Sequence, residues 1–449
     1  MSVIQNIRKT INYSKKNGYK EALYAACERV LAKYHADYHY EKPTKESLLQ
    51  QKKEQEGYTT SFSIVVPAYE TKSEYLITLI DSCLEQSYEK WELLIADGSQ
   101  SNIVEQCVAR YRDERIHYVR LAENGGISVN TNQALSYATG EYCGLLDHDD
   151  WLTPDALFEM AKLIHEAKNK GIIPVMLYSD EDKSDSKGEF FFDPHFKLDF
   201  NPDLILSNNY ICHFCVVKTE LLQKFQLRKE YDGAQDYDLV LRIVSSLWQQ
   251  EKGGSIGRME DVILHVPKVL YHWRCHDAST ADNPQSKMYA YEAGRNALSD
   301  FVRRMGWKAD VRHNKHLGFY QLAYREGIFA HRADVAAVGG YVIKKGKVAS
   351  GVYRGMPIVY AGYMNRMDLY QNVKVLDLRN MAIQDCYQTD YEEITGHAYV
   401  NTLEVPIKEQ PRWLQELDEE KAHEMSKALS KRLRAKGARL VLDPERIVK

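Results

Sequence analysis

Glu141-Tyr142-Cys143-Gly144-Leu145-Leu146-Asp147-His148-Asp149-Asp150 is the stretch on which the reading of this chain turns. Its apolar half, after Gly140, reads as a short buried strand. It stops in three carboxylates within four residues. Unpaired carboxylates repel one another and resist leaving water, so a buried strand ending in such a cluster has a use for the charge. In extended backbone Asp147 and Asp149 point the same way. Two hard oxygen ligands side by side suit a Mg2+ or Mn2+ that also holds phosphates. The alternative is an acidic turn, with Asp150 capping a helix that starts near Thr153-Pro154.

Upstream of this stretch, strand and helix alternate. Phe62-Ser63-Ile64-Val65-Val66-Pro67 reads as a compact strand, Tyr75 to Gln86 as a helix, and Trp91 to Ala96 as a second strand ending at Asp97-Gly98. A helix over Ile103 to Tyr111, a strand over Ile116 to Leu121 and a turn at Asn124-Gly125-Gly126 leading into another helix follow. Such alternation predicts a largely parallel sheet with helices on both faces. Ligands of such sheets sit outside the carboxyl ends of the strands. Those ends carry Pro67-Ala68-Tyr69-Glu70, Asp97-Gly98-Ser99 and Asp147-His148-Asp149, so three polar strand ends are expected to share one crevice. Neither common glycine-rich nucleotide loop is present, so a nucleotide here needs carboxylates, a metal and basic side chains.

Composition narrows the class. A chain of 449 residues with 44% hydrophobic and 27% charged residues has room for two or three domains of ordinary soluble type. A net charge of -4 gives no basic field for nucleic acid, and no nucleic-acid partner is expected. No apolar run reaches the ~18 residues a membrane span needs. Met1 to Lys20 is polar and basic, so no secretory leader is expected. The eight scattered cysteines fit reduced thiols in a cytoplasm. Cys212-x-x-Cys215 lacks a second pair at zinc spacing and reads as part of a strand or buried loop. The 31 tyrosines against 12 phenylalanines suit sugar surfaces, where a ring and a hydroxyl are both of use.

Three parts are expected: a helical extension over 1-58, a catalytic domain over 59-325 and a smaller α/β domain over 326-449. The extension holds apolar residues at helical spacing with Lys9, Lys15, Lys16 and Lys20 among them. Such a helix either lies on an anionic membrane or packs on the main domain with a solvated basic face. Late in the chain, Asp334 to Tyr341 with Lys345-Gly346-Lys347 reads as strand-turn-strand. Leu414 to Lys436 reads as a helix stopped at Gly437, and a short strand follows over Ala438 to Val448.

In order, the motifs resemble those of family 2 glycosyltransferases with the GT-A fold, a doubly wound mixed α/β sheet that handles nucleotide-diphospho-sugars. The matching pieces are Ile64 to Glu70, Leu94 to Ser99, Glu123 to Ile127, Leu146 to Asp150, Gly233 to Leu239 and Tyr271 to His276. They span about residues 61 to 300, and their flavour is that of the bacterial polysaccharide branch with rhamnosyl- and galactofuranosyl-transferases. The resemblance implies an inverting, metal-dependent enzyme that takes a UDP- or dTDP-linked sugar and extends a bacterial surface polysaccharide or lipid-linked glycan. It implies that the protein sits in the cytoplasm or peripherally on the inner face of the plasma membrane; a homo-oligomer is left open.

The resemblance also implies roles. Asp97 accepts from the N3-H of the pyrimidine, and Pro67, Ala68, Tyr69 and Glu70 line the base and ribose. Asn124, Asp147, His148 and Arg274 complete the donor side. Asp149 and His276, with Asp147 a further candidate, hold Mn2+ or Mg2+. Asp236 is the general base toward the acceptor hydroxyl. Asp238 caps its helix or pairs with Arg242. Asp180 and Asp182 form either an acceptor-side lip or a solvated turn. The sequence departs from the family where an Arg usually follows the Asn-x-Gly-Ile turn. Here Ser128 to Asn132 stands there, so a diphosphate contact must come from elsewhere, such as Arg274 or Lys183. The stretch after Asp334 resembles part of a degenerate second transferase unit. The competing readings are a sugar-1-phosphate nucleotidyltransferase, which calls for a glycine-rich loop with Arg and Lys where Pro67 to Lys72 stands, and a non-catalytic scaffold of a polysaccharide assembly.

Overall fold

The structure, a computed structural model, describes residues 38-197, 199-276, 288-314 and 317-344. It also describes 14, 19, 347-348, 399-400, 433 and 435-448. The described residues fall into two compact units, the larger holding Tyr38–Pro202 and Asn209–Met305.

The larger unit begins with α1 (Lys45–Glu54), whose Thr44 cap accepts from Ser47 N. Residues 38-58, expected as a separate extension, lie within this unit. Gln51 accepts from Ser87 Oγ, Gln55 donates to the Ser87 carbonyl, and Tyr58 is part of the main core. The basic segment from Lys9 to Lys20 lies outside the described residues, except for residues 14 and 19.

Then β1 (Phe62–Ala68), α2 (Ser73–Leu84), β2 (Trp91–Asp97), α3 (Ile103–Val108), β3 (Ile116–Arg120), α4 (Ile127–Leu135) and β4 (Tyr142–Leu145) alternate as the sequence predicts. β1 pairs in parallel with β2 and β4, and β2 with β3. Sandwiched between neighbours and covered on both faces, β1 has no face for polar residues, which is why it reads as a continuous apolar run.

After β5 (Trp151–Leu152) and α5 (Ala156–Asn169) the alternation stops. β6 (Met176–Ser184) turns directly into β7 (Phe191–His195), its antiparallel partner. β8 (Cys215–Lys218) runs antiparallel to both β4 and β6, and β9 (Ile263–Arg274) parallel to β6. The sheet has nine strands in the order β3-β2-β1-β4-β8-β6-β9-β5, with β7 beside β6. It is therefore a mixed sheet of GT-A type, parallel throughout its first half and mostly antiparallel in its second, where β6 and β9 alone run parallel. Antiparallel neighbours need no helical crossover, so the second half lacks the alternation that marks the first. α6 (Thr219–Phe225), α7 (Gln235–Lys252) and α8 (Met288–Arg304) complete the unit. Gly144 on β4 lies under Phe214, whose ring a Cβ there would meet at 2.5 Å, so no larger residue fits this strand end.

The smaller unit holds Asp203–Asn208 and the described residues from Gly306 onward. It contains the hairpin β10 (Ala309–His313) and β11 (Tyr320–Tyr324), and β12 (Val335–Lys344). β12 pairs with β13 (Lys347–Val348), β14 (Tyr399–Val400) and, in parallel, β15 (Arg439–Val448). β12 and β13 pair antiparallel, as the two strands of the expected strand-turn-strand do; Lys345 and Gly346 lie outside the described residues. Most of the helix expected over Leu414 to Lys436 lies outside the described residues; Gly437 does follow with a φ of 80°. Arg332, 1% exposed, is held by Asp203 and Asp334, each at 2.7 Å. Among the described residues, no helix is long and apolar enough to cross a membrane.

Candidate active site

The register brings the first two strand ends level: Ala68 stands beside Asp97, and Pro67 beside Ala96. Leu146 N donates to the Val65 carbonyl at 3.1 Å, so the acidic turn starts next to the end of β1. Asp97 is fully buried. Its Oδ1 accepts from Ser99 N at 2.8 Å, and its Oδ2 from Tyr118 Oη at 2.8 Å and Arg120 Nη1 at 3.1 Å. A carboxylate has about four acceptor positions, so one remains for a ligand N-H. Pro67 lines the cavity described below. Tyr69 is half exposed, and Glu70, at a φ of 47°, accepts from the N-H groups of Gln100 and Ser101. Asn124 Oδ1 accepts from Gly126 N and Asn130 Nδ2, fixing the turn into α4. In the stretch Ser128 to Asn132, where the resemblance leads one to expect an Arg, Ser128 donates to Asp232 at 2.5 Å.

The acidic turn splits into separate jobs. Asp150 is buried and accepts from Tyr271 Oη at 2.5 Å and Arg274 N at 2.8 Å. It does not cap a helix; α5 starts later, after Asp155. Burial, and then the charges of Asp149 and Asp147, push the Asp150 carboxyl well above its ordinary range. Asp149 Oδ2 and His276 Nε2 lie 2.8 Å apart. Arg274 Nε donates to the Asp149 carbonyl at 2.6 Å and Nη1 to the Ser186 carbonyl at 2.8 Å. Its guanidinium sits between the rings of Tyr75 and Trp151, 4.6 and 4.4 Å from their centroids. Nη2 of Arg274 and Nδ1 of His148 are buried without a hydrogen-bond partner.

Asp236 stands in the first turn of α7. Its Oδ2 accepts from Asn209 Nδ2 at 2.9 Å and from the Cys212 thiol at 3.0 Å. Asp147, Cys212, His213 and Asp236 line one cavity together with Val65 and Pro67. Asp238, two residues on along the helix, faces away from this work: it pairs with Arg228 and, at 2.9 Å, with Arg242. Cys212 and Cys215 are free thiols, Cys215 opening β8.

The sequence reading missed a second charged array. β6 runs on through Tyr178-Ser179-Asp180-Glu181-Asp182-Lys183, so each of its three carboxylates stands on a strand, and each has a histidine. Asp180 meets His265 at 2.8 Å, and Asp182 meets His272 at 2.5 Å and Tyr38 at 2.6 Å. Both carboxylates are fully enclosed, so they form neither a solvated turn nor an exposed lip. Glu181 points the other way. It meets His213 Nδ1 at 3.0 Å, His195 at 3.3 Å and Lys197 at 3.8 Å, and His213 Nε2 lies 3.9 Å from Asp147. Burial alone raises the Glu181 pKa, but Lys197 and the two histidines outweigh it and hold the carboxyl well below its ordinary range. Burial works against a charged His213, but Glu181 outweighs it and lifts the pKa to about 9. The pair is therefore ionic at neutral pH. Alternation along β6 was the available signal; Lys183, the other diphosphate candidate, is paired with Asp193.

Among the described residues no three His, Cys, Asp or Glu side chains gather as a metal cage. The pair Asp149 and His276 nonetheless fits a cation of the Mg2+ or Mn2+ kind. Such ions take one or two protein ligands and complete their shell with water and substrate phosphates. The unpartnered Arg274 Nη2 next to this pair fits a phosphate oxygen in that shell.

Residues 63–225 match the family model described as Glycosyl transferase family 2. Over those residues the chain is similar to a family 2 glycosyltransferase domain. Over 253 residues it is 33% identical to the O-antigen biosynthesis protein RfbC of Myxococcus xanthus, covering 56% of this chain and 18% of that protein. Over 204 residues it is 28% identical to the putative colanic acid biosynthesis glycosyl transferase WcaA of Escherichia coli K12, covering 43% of this chain and 71% of that one. An uncharacterized protein of Sinorhizobium fredii is 37% identical over 251 residues, which are 55% of this chain and 26% of that protein. The chain thus spans about a quarter or less of the Sinorhizobium and Myxococcus relatives. Among solved structures, Staphylococcus aureus TarS in complex with UDP aligns at 21% identity and a TM-score of 0.40, covering 54% of this chain and 65% of that one.

Proposed function

We propose that this protein is an inverting, cation-dependent glycosyltransferase that moves a sugar from a UDP- or dTDP-linked donor to the glycan or lipid-linked glycan acceptor of a bacterial surface polysaccharide. Rhamnosyl or galactofuranosyl transfer is the nearest chemistry. One observation carries the reading: the Asp149–His276 pair lies beside a buried Arg274 N-H that has no partner, with Asp147 and Asp236 lining a cavity close by. An unmet buried donor costs ~1–3 kcal/mol, and a diphosphate oxygen would meet it. The polysaccharide part rests on the names of the Myxococcus and Escherichia relatives.

In this reading Asp97 accepts the N3-H of the pyrimidine, and Pro67 to Glu70 with Asn124 line the base and ribose. Asp147 and His148 stand on the ribose side, and Arg274 holds the diphosphate. Asp149 and His276 hold the Mn2+ or Mg2+, which when bound supplies positive charge against the departing diphosphate. Asp236 takes the proton of the acceptor hydroxyl. The hydroxyl oxygen bonds the anomeric carbon as the bond to the diphosphate oxygen breaks on the opposite face, so configuration inverts and the nucleoside diphosphate leaves. A screen of UDP- and dTDP-sugar turnover with Mn2+ tests the reading; no nucleotide affinity and no turnover of any donor would refute it.

In this reading the enzyme works at the inner face of the plasma membrane, and the basic N-terminal segment with Lys9, Lys15, Lys16 and Lys20 would bind anionic lipid. Deleting residues 1-37 should lower retention by phosphatidylglycerol vesicles; equal retention removes the membrane role.

A further inference from the structure

His213, in the cavity wall, borders a sheet face with its own pattern. Across β7, β6 and β9, His195, Glu181 and Tyr271 stand in register, and Phe192, Lys183 and Trp273 form the next row. In-register neighbours point to the same face. The His213 ring, in the cavity wall, stacks on Tyr271 at 4.8 Å and lies 5.9 Å from Trp273. Lys183 Nζ is 5.7 Å from the Trp273 ring and paired with Asp193. Phe192 stacks on Phe190 at 5.8 Å and 21°, and Phe190 is 64% exposed. A continuous strip therefore leads from His213 to Phe190. Aromatic faces alternate along it with an ammonium, a carboxylate and imidazoles.

Scattered surface aromatics are normal; a row running out of a cavity is a binding feature. The chemistry of the row is that of a sugar chain. A pyranose or furanose presents a C-H face, which suits a flat ring, and an edge of hydroxyls, which suits Lys183, Asp193 and His195. Adjacent strands lie ~4.8 Å apart, so Trp273 and Phe192 stand ~10 Å apart, room for more than one sugar ring. Other apolar occupants suit it less, because charged side chains interrupt the apolar area.

We propose that the strip from His213 through Trp273, Lys183 and Phe192 to Phe190 is an acceptor track. It binds an oligosaccharide whose terminal hydroxyl reaches Asp236 and whose following sugars lie over Trp273 and Phe192. The inference rests on the transferase reading above.

The test uses the full chain, fluorescently labelled, on an array of bacterial surface oligosaccharides with UDP and Mn2+ present, and UDP affinity by calorimetry alongside. The variants are Phe190→Ala, Phe192→Ala and Phe192→Tyr. Phe190 is exposed and Phe192 lies at the sheet edge, so folding is expected to survive, and retained UDP affinity verifies it. Wild type should be retained on oligosaccharide spots and the two Ala variants about tenfold less, the loss of roughly one aromatic stack. Phe192→Tyr should restore retention, and spots bearing a single sugar should not discriminate. Equal retention of the Ala variants overturns the track. So does a wild type that binds UDP but no oligosaccharide. A wild type that binds neither UDP nor dTDP sinks the transferase reading itself, a separable result.

Discussion

Asp236 owes its orientation to Asn209 and Cys212, which both donate to Oδ2. An amide oxygen can accept those same bonds, so Asp236→Asn keeps the packing and removes only the proton-accepting power. Turnover should fall on the order of 10²- to 10⁴-fold with UDP affinity intact. If affinity is lost instead, Asp236 belongs with the diphosphate, and near-normal turnover would assign the proton to another carboxylate. Asp147 is the alternative by geometry, since it lines the same cavity as Asp236. Asp97→Ala should weaken UDP binding by about tenfold or more, the scale of one charged hydrogen bond; calorimetry showing equal affinity removes Asp97 from the base pocket. At this scale a candidate residue is legible where it sits inside a short motif, as at Asp97, Asp147, Asp149, Asp236, Arg274 and His276; of these, Asp147 and Asp236 line one cavity and Asp149 meets His276. Glu181 and His213 were illegible as a pair because 32 positions separate them and only strand pairing brings them together.

Among elements, α7 and α8 are tied by charge. Asp238 on α7 and Asp300 on α8 both take Arg228, and Asp300 also takes Arg303 and Arg304. Burial works against the charged Asp300, but these guanidinium groups outweigh it and draw its pKa down to about 2. An Asp in the unfolded chain titrates near ~3.9. The folded form therefore binds its proton later, and the stability Asp300 supplies is present above pH ~4 and lost as the pH falls toward ~2. Denaturant melts at stepped pH should show Asp300→Asn less stable than wild type by a constant amount above pH ~5, with the gap closing between pH ~4 and ~2. A gap independent of pH would deny the linkage. Element identity was legible wherever strand and helix alternate. It failed at β6, where a lip or a solvated turn is expected at Asp180 and Asp182 and the observed strand continues to Ser184. Charged residues read as loop, and here histidines and Lys197 make a charged strand tolerable inside the fold.

For the whole molecule, the expected dependence is on a divalent cation. Excess EDTA should abolish transfer, and Mn2+ or Mg2+ should restore it. His276→Ala should raise the Mn2+ concentration needed for half-maximal activity about tenfold or more, in line with the loss of one of few protein ligands. Full activity in EDTA removes the cation from the reading. The mixed sheet was only half legible: its parallel half follows from the connections, while its antiparallel half depends on pairings between distant segments.

The three imidazole–carboxylate pairs of β6 have a consequence for how this protein can vary. Neighbouring carboxylates on that strand serve opposite faces, so sliding it by one position exchanges them. Asp180 and Asp182 would leave His265 and His272, and Glu181 would leave His213, in one step. The three contacts thus act as a combination lock on alignment, where any single error misses every tumbler. Insertions are tolerable at the exposed Lys187 in the β6–β7 turn, but not at Ser186, whose carbonyl holds Arg274. Between Asp180 and Asp182 even one added residue should part at least one carboxylate from its histidine, whatever its chemistry.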